Sequence, residues 1–257
     1  MKAIWTGSIG FGLVNIPIKM YSAVQGSELD LDMLDSKDHA NIKFQRINAN
    51  TGKVVAYENI VKGFKVDEKY VVLTDDDFKK ASPEKTKMIG IMEFVKEVEV
   101  DTMYYETPYY LEPEKSGGNA YGLLRDALQK TGKVALGTYV LRSKESLGII
   151  KPSGKVLVLQ KIRFDNEIRN TEDLKIPDAA SKAPELKMAI SLIEQLSGPF
   201  DISRYKDTYT DELMKLINAK AKGKKVVSPA LRIVHSKSKD LMAQLKASLE
   251  TKKKKAS

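Results

Sequence analysis

The chain has no cysteine and only two histidines, His39 and His235, among its 257 residues. The first absence removes disulfides, iron–sulfur clusters, thiolate zinc sites and thiol nucleophiles together, and it fits a reducing compartment. Neither histidine lies in a nucleophile or zinc-ligand motif. Long apolar runs are also missing, and no stretch approaches the ~18 residues of a membrane span. The apolar residues 9–18 are broken by Asn15 and Pro17 and lead into no small-residue cleavage pattern. Neither a signal peptide nor a membrane anchor is therefore expected, and the protein reads as cytoplasmic. With 42% apolar residues and only 9 prolines, the composition suits neither a disordered nor a fibrous chain. What remains is a globular protein with a sizeable core.

Charge of one sign accumulates in one place only. The net charge of +9 arises because residues 220–257 hold 12 Lys or Arg against 2 acids, which leaves 31 against 32 in residues 1–219. A near-neutral body with a basic end is a block distribution, and such ends are drawn to phosphates or acidic surfaces over long range. On charge alone, a solubilising terminus and a nucleic-acid-binding one are both open.

The first two-thirds of the chain reads as strands separated by turns. Residues 4–21 are apolar and β-branched, punctuated by Gly7, Gly10 and Gly12. That spacing matches neither a Walker loop nor the dinucleotide fingerprint, so a bent or bulged strand is expected. Short β segments follow at 42–47, 53–60 and 70–73, with Asn50-Thr51-Gly52 as a turn. They predict a protruding hairpin with limbs of about 16 residues, reaching ~50 Å. Residues 41–73 carry Lys43, Arg46, Lys53, Lys62, Lys65 and Lys69 against Glu58, Asp67 and Glu68. Thr74 followed by Asp75, Asp76 and Asp77 marks a helix start, the carboxylates serving free amides and the helix dipole rather than a metal.

Further strands are expected at 86–100, where Val98 and Val100 alternate with Glu97 and Glu99, and at 103–111, ending before Glu112-Pro113. Two more, at 133–142 and 155–164, flank a turn-rich stretch containing Pro152, Ser153 and Gly154. Ahead of both, Gly117-Gly118-Asn119 opens a helix that turns Ala120, Leu123, Leu124, Ala127 and Leu128 to one side and stops at Thr131-Gly132. Many strands with one helix predict a barrel or a sandwich. Beyond residue 181 the character changes. Pro184 opens a helix with Leu186, Ala189, Ile190 and Ile193 on one side, stopped by Ser197-Gly198-Pro199. A second helix, from about 207 to 222, carries the stripe Tyr209, Leu213, Leu216 and Ile217 and ends at Gly223. Two such helices have no core of their own and need the barrel, a second subunit or another protein to pack against. Leu241, Leu245 and Leu249 then recur four apart ahead of four consecutive lysines, in a helix too short to persist alone.

No catalytic constellation emerges. Glu97 with Glu99 and Glu106 with Glu112 are carboxylate pairs that surface solvation explains. Zinc-finger spacing, RNP aromatics and a helix-turn-helix are all missing, so base-specific readout is unsupported. Lysine-rich hairpins and tails can still grip phosphates, which gives affinity without sequence information.

The segment Ala3-Ile4-Trp5-Thr6-Gly7-Ser8-Ile9-Gly10-Phe11-Gly12-Leu13-Val14-Asn15-Ile16-Pro17-Ile18-Lys19-Met20-Tyr21 resembles the opening of the bacterial Ku family. The resemblance continues through Glu58-Asn59-Ile60-Val61-Lys62-Gly63-Phe64, Tyr109-Tyr110-Leu111-Glu112-Pro113, Ala120-Tyr121-Gly122-Leu123-Leu124-Arg125-Asp126 and Asp207-Thr208-Tyr209, and it covers nearly the whole chain. It implies a mainly β fold with α: a Ku-type β-barrel core over residues 1–183, with a protruding β arm at 41–73. In a homodimer the arms would close a ring around the end of a DNA duplex. A helical segment at 184–222 would clasp the dimer or recruit DNA ligase D, and a Lys-rich extension at 223–257 would be largely disordered.

The function so implied is sequence-independent binding of double-stranded DNA ends in non-homologous end joining, close to the nucleoid, with no catalysis, cofactor or metal. DNA contacts would fall to Lys43, Arg46, Lys53, Lys62, Lys65 and Lys69 of the arm and to Lys224, Lys225, Lys252, Lys253, Lys254 and Lys255 of the extension. Partner contacts would fall to Tyr209, Leu213, Leu216 and Ile217. Some relatives carry cysteines near the positions of Asn48 and Asn50, and without them this chain has no such metal clasp. Two alternatives stand beside this reading: an abasic-site lyase acting through a lysine amine, and general nucleic-acid binding through the tail alone.

Overall fold

Period-two alternation of apolar side chains dominates the chain, and it builds one closed sheet. The computed structural model describes residues 1–81, 87–178, 180–224 and 244–245. Seven strands, β1 Trp5–Phe11, β2 Val14–Ser22, β5 Met88–Lys96, β6 Tyr105–Pro113, β7 Lys133–Leu141, β8 Lys144–Ser153 and β9 Val156–Ile162, form a barrel. The order around it is β1-β2-β6-β9-β8-β7-β5. Neighbours are antiparallel except at the closing seam, where β1 meets β5 in parallel through Ser8↔Met88, Ile9↔Ile89 and Gly10↔Gly90.

Every second residue turns inward: Ile16, Ile18 and Met20 on β2, Ala135 and Tyr139 on β7, Leu157 and Leu159 on β9, all essentially buried. Helix α2, Gly118–Thr131, ends on Gly132 at φ 64° and closes the core with Tyr121, Leu124 and Leu128. The Tyr121 hydroxyl donates to the Leu111 carbonyl and accepts from the Leu157 amide, each at 2.6 Å, and so ties α2 to β6 and β9.

Several expectations are corrected. Residues 5–11 form a strand in unbroken register with β2, without a bulge. Gly7 serves close approach there, because a Cβ would stand 2.3 Å from both the Lys87 carbonyl oxygen and the Trp5 ring. Bulges occur instead in β5, between Ile91 and Glu93, and in β6, between Tyr105 and Pro108. The alternation at 97–100 is no strand but a 3-10 turn with Val98 exposed, closed by the Glu99 carboxylate on the Lys96 amide. The turn-rich stretch before Gly154 contains the whole of β8, whose Ile149 and Ile150 are buried. Leu123, placed on the inner side of α2, is exposed, and Tyr121 takes the inward position.

The chain divides into two compact units, one of residues 1–26 and 30–170, the other of residues 27–29 and 171–257. In the second, α3 Ala183–Leu196 and α4 Thr208–Ala221 contain no buried residue. On α3 the half-buried positions are Glu185, Met188, Ala189 and Leu192, while Leu186, Ile190 and Ile193 are exposed. The inner face is therefore turned from the one expected, because α3 is apolar on two adjacent sides and periodicity alone does not choose between them. Helix α4 starts as expected, with the Asp207 carboxylate accepting from the Tyr209 and Thr210 amides. Those bonds hold its pKa below the usual carboxylate range, the Thr210 hydroxyl contributing most. None of the described helices is long and apolar enough to cross a membrane.

Candidate nucleic-acid interface

Between β2 and β5 the chain leaves the barrel, and over residues 30–72 every side chain is exposed except half-buried Val55. No core can hold this arm together, so local bonds must. They come as two copies of one motif, offset by 13 residues. In the first, the Asp35 amide donates to the Ala40 carbonyl, the His39 amide to the Asp35 carbonyl and the Ile42 amide to the Met33 carbonyl. In the second, Asn48 bonds to Lys53, Gly52 to Asn48 and Val55 to Arg46 in the same pattern.

Each copy has an Asx turn, Asp35 Oδ1 accepting from the Lys37 amide and Asn48 Oδ1 from the Asn50 amide. Each has one residue in the left-handed region, His39 at φ 59° and Gly52 at φ 67°. Each is closed by a single β-bridge, Leu34↔Asn41 or Ile47↔Val54. The expected turn at 50–52 is present, but the long hairpin is not.

The regular part of the arm is a short ribbon, β3 Lys62–Val66 against β4 Lys69–Leu73, whose five residues a limb span about 17 Å. Residues opposite one another share a face. One face presents Phe64, Val66, Val71 and Leu73 between Lys62 and Lys69; the other presents Lys65, Tyr70, Val72 and Gly63. The ribbon's three candidate cations are thus split between two faces. Beyond it, α1 Asp75–Ala81 begins with a capping box in which Asp77 accepts from the Thr74 amide and hydroxyl, and this keeps the Asp77 carboxyl below its usual range.

Ion pairs are found on the barrel and not among the candidate cations of the arm. Five cations of the barrel have carboxylate partners, among them Lys151 with Glu97 and Lys161 with Glu106, each at 2.5 Å, and Arg125 with Asp126 at 2.8 Å, while others such as Lys133 and Arg142 are in no ion pair among the described residues. Among the described residues, none of Lys43, Arg46, Lys53, Lys62, Lys65 and Lys69 is in an ion pair. Two rest on aromatic rings instead, Arg46 5.2 Å from the Tyr57 centroid and Lys62 4.8 Å from that of Phe78. A ring face holds a cation in place without cancelling its charge, so each remains available to a phosphate.

Of the other candidates, Lys224 sits just past α4, its amide bonded to the Ala219 carbonyl. Lys225 and Lys252, Lys253, Lys254 and Lys255 lie outside the described residues, as do Leu241 and Leu249. On α4, Leu213, Leu216 and Ile217 are half-buried and Tyr209 is exposed. Sequence reading passed over the aromatic supports Tyr57 and Phe78, which carry no local signal because the first is 11 residues and the second 16 residues from its cation.

A sequence profile described as the Ku70/Ku80 beta-barrel domain matches residues 10–189. The chain is 37% identical over 255 residues to "Non-homologous end joining protein Ku" of Bacillus subtilis, covering 97% of this chain and 82% of that protein. Proteins of the same name from Archaeoglobus fulgidus and Pseudomonas aeruginosa are each 37% identical. The first match covers 98% of this chain and 100% of that protein, the second 86% and 77%. A solved SPOC domain of human PHD-finger protein 3 aligns with a TM-score of 0.32 and 11% identity over 63% of this chain and 97% of that one, a likeness too slight to bear on the fold.

Proposed function

The chain belongs to the Ku family, and from that premise we propose that it binds the ends of double-stranded DNA, without regard to sequence, in non-homologous end joining. The observation that supports this most directly is the arm, which holds six unpaired cations and has no buried residue. Unpaired lysines attract any phosphate backbone, and affinity of that kind carries no base preference.

The same arm supports a homodimeric ring. A two-stranded ribbon with Phe64, Val66, Val71 and Leu73 on one open face is marginal by itself in water and is stabilised by covering that face. A second copy supplies the cover, and the face bearing Lys65 and Tyr70 is left to line the hole. DNA ligase D is the proposed partner of the helical segment, through the apolar stripe Leu186, Ile190 and Ile193 of α3 or the exposed Tyr209 of α4. The protein acts as a binding scaffold rather than a catalyst, in the cytoplasm beside the nucleoid, and the basic extension adds affinity for phosphate.

A closed hole admits DNA only by threading from an end. Linear duplex is therefore expected to bind at least a hundredfold more tightly than covalently closed duplex of identical sequence, as measured by competition in a gel-shift assay. Equal affinity for the two forms rules out threading and leaves the tail as the binding element. The same linear duplexes with ligase D added read recruitment as faster joining, lost on Ile190→Asp/Ile193→Asp. Borohydride trapping of a covalent adduct on abasic DNA would speak for the lyase alternative instead.

A further inference from the structure

Followed to one end of the barrel, the inward row of side chains changes character. Beyond Met20 on β2 the next inward residue is Ser22, and ahead of Leu111 on β6 it is Tyr109. On β9 Lys161 follows Leu159, and on β8 Ser146 precedes Gly148. With Arg142 and Lys144 at the rim, these residues line a cavity of about 530 Å³. Its walls carry three cations and no carboxylate.

Behind the wall, Lys161 pairs with Glu106 at 2.5 Å, and that hydrogen bond lowers the Glu106 pKa despite partial burial. Lys144 stands 3.9 Å from Glu167, both largely exposed, and Arg142 is in no ion pair among the described residues. The balance at the mouth is cationic.

Beside this cationic lining, the backbone at the rim is strained. Arg142 and Ser143 form the two-residue turn between β7 and β8 with φ of 53° and 67°, a mirror-type turn that favours Asn-Gly. Non-glycine residues held there are strained, and strain of this sort gathers at binding sites. Tyr139, 2% exposed, stands opposite Ser146 in the β7–β8 register without itself lining the cavity, and its hydroxyl has no hydrogen-bond partner among the described residues. A buried hydroxyl left unpaired in a native core is uncommon and calls for a cause. Ser22, moreover, is the last residue of β2, so the cavity opens at the end of the barrel from which the arm departs.

We infer that this barrel mouth binds a phosphomonoester, with Arg142 and Lys144 as charged clamps and Lys161, Ser22, Tyr109 and Ser146 as donors to its oxygens. A dianion matches the two cations that remain after Glu106 has taken Lys161. A cavity also accepts a group that projects from a chain end more readily than a diester running through a continuous backbone. The phosphate is either the 5′-terminal phosphate of bound DNA, which rests on the function proposed above, or that of a small phosphate ester.

Inorganic phosphate titrated calorimetrically into the full-length protein, without DNA, is the test. Saturable binding at one site per chain is expected, weakened at least tenfold in Arg142→Gly/Lys144→Gln and unchanged in the charge-matched control Lys130→Gln/Lys133→Gln. Glycine relieves the turn, so the first variant keeps its fold, and an undiminished melting temperature verifies that. Absence of saturable binding, or equal binding by both variants, overturns the site. Blunt duplexes with a 5′-phosphate or a 5′-hydroxyl then identify the source. A tenfold preference for the phosphorylated end, lost in Arg142→Gly/Lys144→Gln, assigns it to DNA; equal affinities beside intact phosphate binding assign it to a small ester. Failure to bind any duplex while phosphate still binds counts against the arm's proposed role and leaves the barrel site standing.

Discussion

Two buried tyrosines in the same core invite opposite predictions. Tyr121 satisfies one backbone donor and one backbone acceptor, so Tyr121→Phe strands both and is expected to cost about 2 to 3 kcal/mol. Tyr139 satisfies none, and Tyr139→Phe removes a desolvated hydroxyl at no loss of bonds, for an expected gain of about 1 kcal/mol. Urea midpoints at unchanged m-value read both. Burial pushes both phenols above their usual range. Because the unfolded chain ionises first, the stability held by the neutral phenols is full below pH ~10 and is lost as pH rises past it. The Tyr139→Phe variant should lose less in alkali. Neither role was visible in the sequence: Tyr121 stands among Ala120, Leu123 and Leu124 as one more residue of a helix, and hydrogen-bond satisfaction depends on which strands the fold brings alongside.

The arm shows why some elements are legible and others are not. The capping box at Thr74, the left-handed stop at Gly132 and the Asp207 cap were each readable because their chemistry lies within a few residues. The ribbon was read one limb short, since Lys62–Val66 carries two lysines and a glycine and marks its alternation with only two apolar residues, Phe64 and Val66. The duplicated turn motif escaped because its two copies share hydrogen-bonding roles rather than residues: Asp35 matches Asn48, Asp38 matches Thr51 and His39 matches Gly52. Those side-chain bonds to the backbone give the arm its local order from the chain's own atoms. The two faces of the ribbon make a separable prediction. Lys65→Glu is expected to weaken end binding about tenfold and lower the salt slope by about 2 per dimer while the dimer persists, as read by gel shift and light scattering. Lys62→Glu/Lys69→Glu, flanking the apolar face, should disturb dimerisation first. The reverse outcome would exchange the two faces.

At the scale of the whole molecule, charge is distributed unevenly along the chain. The barrel holds five of its cations in ion pairs, the arm leaves its six candidate cations open, and residues 220–257 add 12 basic residues against 2 acids. A chain truncated after residue 223 is accordingly expected to keep its preference for ends but to lose affinity less steeply between 50 and 200 mM salt; an unaltered slope removes the extension from the interface. The barrel and its helix were legible as a class from many strands and one amphipathic helix, while strand order was not, because the seam joins residues about 80 apart in sequence. That seam is the shortest pairing in the barrel, three residue pairs, and the whole arm is inserted between β2, the hairpin partner of β1, and β5. With DNA held by the arm as proposed, tension pulled through it is delivered to the start of β5, the strand that the shortest pairing ties to β1.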